Sequence, residues 1–190
     1  MCGRAASVQK EIDFVLAHED VANVFGDMLA NGELPLRVTH NDTKLNNIMI
    51  DDKTGKGICV IDLDTVMPGL AMNDFGDSIR FGASTAAEDE QDLSKVSCDM
   101  ELFDVYAKGF IEGCGGKLTQ KEIEMMPMGA KVMTFECGMR FLTDHLQGDT
   151  YFKIHRENHN LDRCRTQFKL VEDMKAKWDT MQEIIKKYNS

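Results

Sequence analysis

The chain has 190 residues, of which 43% are hydrophobic and three are proline. This length and composition suit a single domain spanning 1–190 with its own core, and they exclude collagen-like, low-complexity and disordered chains. The formal net charge of −10 argues against general nucleic-acid binding, because phosphate backbones attract basic surfaces.

The six cysteines are widely spaced and form no C-x-x-C pair. Neither a zinc site nor a disulfide framework is therefore expected, and free thiols are typical of a reducing compartment. The first ten residues lack the apolar segment of a signal peptide, and no run approaches the ~18 apolar residues of a membrane span. We expect a cytoplasmic protein without membrane partners.

The front of the chain predicts one helix followed by short strands. Apolar residues recur at helical spacing within residues 7–31, and Asn31-Gly32 is typical of a helix end. Residues 36–39 suit a strand end. The β-rich runs Ile48–Ile50 and Ile58–Ile61 flank a polar turn, which predicts a hairpin.

The remainder predicts helices from Asp74 onward, so that the fold class is α+β and mostly helical. One helix ends at the glycines of 113–116, and Thr119 to Glu122 form a capping box that opens the next. Pro127 breaks or kinks that helix, and a further one covers about 128–147.

The last predicted helix carries apolar residues at alternating spacings of three and four: Leu161, Cys164, Phe168, Val171, Met174, Trp178, Met181, Ile185 and Tyr188. This stripe could form a coiled-coil seam in a homodimer or pack onto its own domain. We favour packing within the domain, because most helical stripes are intramolecular core.

The segment His40-Asn41-Asp42-Thr43-Lys44-Leu45-Asn46-Asn47 indicates chemistry. Asp42 follows a short strand, Asn47 lies where the hairpin begins, and Asp62 lies where it ends. Because the two ends of a hairpin are adjacent, a carboxylate, an amide oxygen and a second carboxylate can converge.

Phosphoryl transfer requires such a set. A carboxylate such as Asp42 accepts the proton of the attacking hydroxyl, while Asn47 and Asp62 offer the hard oxygen ligands that Mg²⁺ prefers. Asn47 follows Asp42 at the spacing of the protein-kinase catalytic loop, and Lys44 could contact the transferred phosphate. The alternative is a capped turn in which Asp42 and Asn47 bind loop amides and Asp62 only ends a strand.

These motifs, THNDTKLNNIMID and VIDLDTVMPGLAMNDFGDSIR, resemble the aminoglycoside phosphotransferase and choline kinase superfamily, and most closely the N-acetylhexosamine kinases. The resemblance implies the C-terminal catalytic lobe of a protein-kinase-like fold, with a hairpin that carries the metal site. It implies that Asp42 is the catalytic base, that Asn47 and Asp62 bind Mg²⁺, and that Asp74 or Asp77 braces the loop. It also implies ATP as the phosphoryl donor.

Two departures from kinase patterns accompany the resemblance. The metal-binding strand ends in Asp62-Leu63-Asp64 rather than Asp-Phe-Gly, which is normal for the superfamily but not for protein kinases. In addition, no glycine-rich loop and phosphate-pairing lysine precede His40. We therefore expect the ATP-binding lobe to be absent, as in a truncated gene or an isolated lobe.

The acceptor pocket is expected among the later helices. Glu136, Arg140 and Asp144 are spaced by four, and they either line a cleft or form surface ion pairs. By the resemblance to hexosamine kinases, Arg140 and Tyr151 contact the sugar. Asp64 is a further candidate to hydrogen-bond the acceptor.

The sequence therefore predicts a small-molecule kinase that phosphorylates the anomeric hydroxyl of an amino sugar. Two alternatives remain open: a related kinase for an aminoglycoside, an amino alcohol or methylthioribose, and a non-catalytic lobe that binds a sugar or a partner protein. A choline-type pocket is disfavoured, because it requires aromatic residues and the chain has one Trp and three Tyr.

Overall fold

The computed structural model describes residues 3–189 and is mostly helical with two small sheets. The elements are α1 (Gln9–Leu16), α2 (Glu19–Ala30), β1 (Arg37–Thr39), β2 (Ile48–Ile50), β3 (Gly57–Val60), β4 (Met67–Gly69), α3 (Ala71–Gly82), α4 (Met100–Gly113), α5 (Gln120–Glu124), α6 (Met126–Gln147), α7 (His159–Ala176) and α8 (Trp178–Lys186).

The N-terminal helical region is two helices, so that the prediction of one continuous helix was wrong. The ring of His18 stacks on Phe14 with centroids 4.2 Å apart, and its Nδ1 donates to the Phe14 carbonyl oxygen. This carbonyl is one of those left unpaired at the end of α1, and a histidine side chain can satisfy such a group. The predicted end of α2 is confirmed, with Asn31 as its C-cap and Gly32 at a positive φ of 72°.

The predicted hairpin is confirmed as the antiparallel pair β2 and β3, with Ile48 opposite Val60. Its turn is stabilised by Asp51, whose Oδ1 accepts hydrogen bonds from the backbone N–H and the hydroxyl of Thr54. Such a local side-chain bond is the physical reason that Asp favours turns.

A second antiparallel pair, β1 with β4, was not anticipated from the sequence. Thr39 lies opposite Met67 and Arg37 opposite Gly69. At Gly69 a Cβ atom would lie 2.3 Å from the Thr39 hydroxyl oxygen, so that only glycine permits this close approach. The pairing connects the strand before His40 to the segment that follows the hairpin.

The helical core is built around α3, α6 and α7. Where α3 and α6 cross, Gly76 faces Gly129, and the absence of side chains allows the two backbones to approach closely. The predicted capping box is present, since Thr119 and Glu122 bond reciprocally to each other's backbone N–H. Pro127 lies in the first turn of α6, where its missing N–H costs no helical hydrogen bond.

The C-terminal stripe packs inside the chain. Leu170, Met174, Met181 and Ile185 are buried in one cluster with residues of α3 and α4. The predicted single helix is interrupted at Lys177, whose ammonium group donates to the Ser97 hydroxyl, the Cys98 carbonyl and Asp173. Within residues 3–189, no helix combines the length and apolar character needed to cross a membrane.

Replacing Gly76 with alanine should destabilise the fold, because the new Cβ would lie 2.2 Å from the Gly129 carbonyl oxygen. Overpacking of this kind costs about 1–3 kcal/mol. Urea denaturation followed by circular dichroism would measure the loss. Gly109→Ala is the matched control: it lies in α4 with nothing within 4 Å of its Cβ position, and it should stabilise by up to ~1 kcal/mol. Equal effects of the two substitutions would contradict the close packing of α3 on α6.

Candidate active site

The loop after β1 brings Asp42, Lys44 and Asn47 into direct contact. The Lys44 ammonium group donates to Asp42 Oδ2 over 2.7 Å. Asn47 Nδ2 donates to the same oxygen and to the Asp42 carbonyl, each over 2.8 Å. Asp42 Oδ1 accepts no hydrogen bond from the described residues, so that this oxygen is available to a ligand.

The ionisation of Asp42 follows from these contacts. Burial by itself raises the pKa of its carboxyl, but hydrogen bonds from Lys44 and Asn47 and the nearby positive charge outweigh burial. The net pKa therefore lies below the usual value for aspartate, and the group is a carboxylate at neutral pH.

Asp74 braces the loop, which decides between the two predicted candidates. Its carboxylate accepts the backbone N–H groups of His40 and Asn41, each over 2.8 Å. Asn41 has a left-handed φ of 63°, and these bonds help to hold it there. Burial raises the pKa of Asp74, and the two N–H groups oppose that shift. Asp77 instead pairs with Arg80 over 2.8 Å, and within residues 3–189 it forms no hydrogen bond to the loop.

The hairpin end approaches the loop through its backbone. The N–H of Ile61 donates to the carbonyl oxygen of Asn47, and His40 Nε2 donates to the carbonyl oxygen of Ile61. Asp62, the next residue, has a left-handed φ of 64°, and its side chain is exposed. The backbone thus places Asn47 and Asp62 at the same end of the hairpin.

The chemistry of Asn47 and Asp62 suits Mg²⁺. Asn47 uses its amide nitrogen toward Asp42, which leaves the amide oxygen without a hydrogen bond from the described residues. Asp62 likewise has no side-chain hydrogen bond within residues 3–189. Two hard oxygen donors with other positions left for water and phosphate are typical of Mg²⁺ sites. No group of three or more His, Cys, Asp or Glu side chains in the described chain is arranged to bind a metal.

A cleft of about 580 Å³ joins the loop to the later helices. Asp42, Arg140 and Tyr151, which are expected to contact the acceptor, line it together with Lys44. The Arg140 guanidinium lies 5.9 Å from the Tyr151 ring centroid and 5.5 Å from that of Phe152. Asp64 is exposed and is not among the lining residues, and its predicted contact with the acceptor stays a prediction.

All the acidic residues that line the cleft form ion pairs. The sequence analysis anticipated only the pair of Glu136 with Arg140, and only as one of two alternatives. Arg80 bridges Asp77 and Glu88 over 2.8 Å each, and Arg163 approaches Glu88 at 3.7 Å. The other two pairs are Lys44 with Asp42 and Arg140 with Glu136. Arg80 follows Asp77 by three residues on α3, a spacing that could have indicated a pair.

A second cavity of about 380 Å³ shares Asp42 and Lys44 with this cleft as lining residues. Apolar side chains of both small sheets line it, and Asp42, Lys44 and Asn47 form part of its wall. Asp42 and Lys44 therefore face two cavities. The sequence did not predict this arrangement, because it depends on how side chains of separate segments pack together.

Asp74→Asn should loosen the loop, because an amide offers one acceptor oxygen to two N–H donors. We expect a loss of about 1–3 kcal/mol in the free energy of unfolding. Amide hydrogen exchange at His40 and Asn41 should become faster. Asp92→Asn is a suitable control, since Asp92 is exposed and caps a distant turn at Ser94. Unchanged exchange at both amides would show that Asp74 does not brace the loop.

The comparison with known families agrees with this geometry. The model of the phosphotransferase enzyme family (APH) matches residues 1–97, just over half of the chain. The match includes the loop, the hairpin and α3, and thus Asp42, Asn47, Asp62 and Asp74. Members of this family are kinases that generally use ATP and Mg²⁺. The chain belongs to the phosphotransferase enzyme family, within the aminoglycoside phosphotransferase and choline kinase superfamily.

Proposed function

We propose that the protein transfers a phosphoryl group from ATP, with Mg²⁺, to the anomeric hydroxyl of an N-acetylhexosamine. The observation that carries the proposal is that Asp42 lines two cavities at once. A phosphotransferase binds a donor and an acceptor on opposite sides of the reacting group, and a residue at their junction can reach the bond that forms.

Asp42 acts as the base. Its Oδ2 is held by Lys44 and Asn47, which fixes the orientation of the carboxylate. Its Oδ1 then accepts the proton of the acceptor hydroxyl as the oxygen attacks phosphorus. The lowered pKa of Asp42 keeps the base ionised before the reaction. Proton transfer of this kind contributes about 10²–10⁴-fold to enzymatic rates.

Lys44 stands beside this base at the border of both cavities. Its ammonium group neutralises part of the Asp42 charge in the resting state. When negative charge develops on the transferring phosphoryl group, the same cation stabilises it. Asn47 and Asp62 would hold Mg²⁺, which neutralises phosphate charge when it is bound.

The charges of the cleft favour a neutral acceptor over a polycation. Each of its four acidic residues already pairs with a basic one, and Lys153 adds a positive charge. A polycationic aminoglycoside would therefore have to compete with a basic side chain for each carboxylate among the described lining residues. Arg140 offers planar hydrogen-bond donors, and Tyr151 and Phe152 offer aromatic faces, which together suit a sugar with an acetamido group.

In a protein that also carries the nucleotide-binding lobe, Asp42→Asn should reduce turnover by about 10²-fold or more, because the amide cannot accept the proton. Sugar affinity should change little, since an amide keeps the shape of the carboxylate. Product formation measured by ³¹P NMR and sugar binding measured by ligand-observed NMR would separate the two effects. Asp51→Asn, in the hairpin turn, is the matched control and should leave both unchanged. Full turnover in Asp42→Asn would remove Asp42 as the base.

A panel of acceptors tests the substrate class. N-acetylglucosamine and N-acetylgalactosamine should bind the cleft and become phosphorylated at the anomeric oxygen, whereas kanamycin and choline should not. Ligand-observed NMR with the full 190-residue chain measures binding without depending on nucleotide. Binding and phosphorylation of kanamycin with no response to either amino sugar would contradict the proposed acceptor.

A further inference from the structure

The loop after α6 carries the aromatic wall of the acceptor cleft. Gly148 and Asp149 both have positive φ, 99° and 60°, so that the chain turns sharply at the end of the helix. Tyr151 and Phe152 follow and line the cleft beside Arg140. Phe152 packs on Phe141, with ring centroids 4.7 Å apart, whereas Tyr151 is 73% exposed.

One buried carboxylate binds three consecutive backbone amides of this loop. Asp144 Oδ1 accepts the N–H groups of Thr150 and Tyr151, each over 2.8 Å. Its Oδ2 accepts the N–H of Phe152 over 2.9 Å. Because three successive peptide groups point at one anion, rotation of any of these peptide planes would break a charge-assisted bond.

Asn160 completes the arrangement from α7. Its Nδ2 donates to Asp144 Oδ2 over 2.8 Å and to Asp149 Oδ1 over 2.9 Å. Asp144 is 2% exposed and Asn160 is fully buried. Asp144 thus makes hydrogen bonds to α7 and to the loop, and it forms no ion pair within residues 3–189.

The ionisation of Asp144 agrees with these hydrogen bonds. Burial by itself raises the pKa of the carboxyl, but the N–H groups of Phe152, Tyr151 and Thr150 outweigh burial and lower the net pKa. The ionised form is the one that accepts four hydrogen bonds. Loss of the charge would leave buried N–H groups poorly paired, which is costly.

We propose that Asp144 is a positioning residue for the acceptor: it fixes the backbone of Tyr151 so that the exposed ring stands beside Arg140 at the edge of the cleft. An aromatic ring held in place before binding loses little freedom when the ligand arrives, which favours affinity. Asp144 therefore contributes to acceptor binding through Tyr151, and it does not touch the acceptor in the cleft. The inference rests on the proposed function for the use of this cleft as the acceptor site and for the identity of the acceptor.

The test combines loop exchange with a double-mutant cycle on the full chain. In Asp144→Asn, amide exchange at Thr150, Tyr151 and Phe152 should become faster by about tenfold or more. The affinity for N-acetylgalactosamine, measured by ligand-observed NMR, should fall by about tenfold, which equals about 1.4 kcal/mol. Tyr151→Ala should produce a similar loss, and the double variant should lose little beyond either single change, because both act through one ring.

Asp99→Asn is the matched structural control. Asp99 caps α4 by accepting two backbone N–H groups, and it is not among the residues that line the cleft. Its substitution should lower thermal stability and leave both sugar affinity and loop exchange unchanged. A drop in sugar affinity equal to that of Asp144→Asn would reduce the role of Asp144 to general stability and overturn the inference.

Other outcomes also decide. Additive losses in the double variant, or unchanged exchange at the three loop amides, would overturn the inference. If Asp144→Asn does not fold, Asn160→Ala removes one of the four bonds and should speed loop exchange by a smaller factor; unchanged exchange there is the overturning result. If the wild-type chain binds no N-acetylhexosamine, the proposed acceptor is wrong, while loop exchange still decides whether Asp144 positions Tyr151.

Discussion

Two backbone hydrogen bonds, from His40 and Asn41 to the carboxylate of Asp74, set the geometry of the candidate active site. They tie the loop after β1 to the first turn of α3, and α3 itself is fixed in the core against α6 at Gly76 and Gly129. The loop is therefore attached to a helix that packs closely in the core. Asp42 is the next residue after Asn41, so that the same two hydrogen bonds position its backbone.

The same loop also connects to the hairpin. His40 donates from its ring to the carbonyl of Ile61, and the Thr65 hydroxyl donates to the carbonyl of His40. These two hydrogen bonds hold the segment around Asp62 near Asp42, although no continuous sheet connects the loop to the hairpin. Preorganisation of this type matters for catalysis, because groups held in place before the reaction need not reorganise during it.

The sequence predicted the hairpin, the capping box and the mostly helical architecture, since each has a local signal. It also identified Asp42, Lys44 and Asn47, which the fold places in hydrogen-bond contact. It could not choose between Asp74 and Asp77, because both lie on α3 and only the direction of each side chain decides. The pairing of β1 with β4 was missed, because each strand has three residues and one contains Pro68.

The two helix breaks were also missed, for a physical reason. His18 and Lys177 are ordinary helix residues by propensity. At the breaks, the His18 ring bonds the Phe14 carbonyl of the preceding helix, and the Lys177 ammonium group bonds the distant Ser97. Asp144 shows the same limit in another form. Its spacing from Glu136 and Arg140 suggested one polar face, but that spacing could not show that its carboxylate binds the backbone of a loop that begins four residues later.

The central claim is that Asp42 stands between bound acceptor and bound nucleotide. A crystal structure of the protein with N-acetylgalactosamine, Mg²⁺ and a non-hydrolysable ATP analogue tests it most directly. The account predicts an anomeric hydroxyl within about 2.6–3.2 Å of Asp42 Oδ1, the sugar beside Arg140 and Tyr151, and phosphates on the opposite side of the loop. A sugar bound outside this cleft, or an Asp42 carboxylate directed away from the hydroxyl, would contradict it.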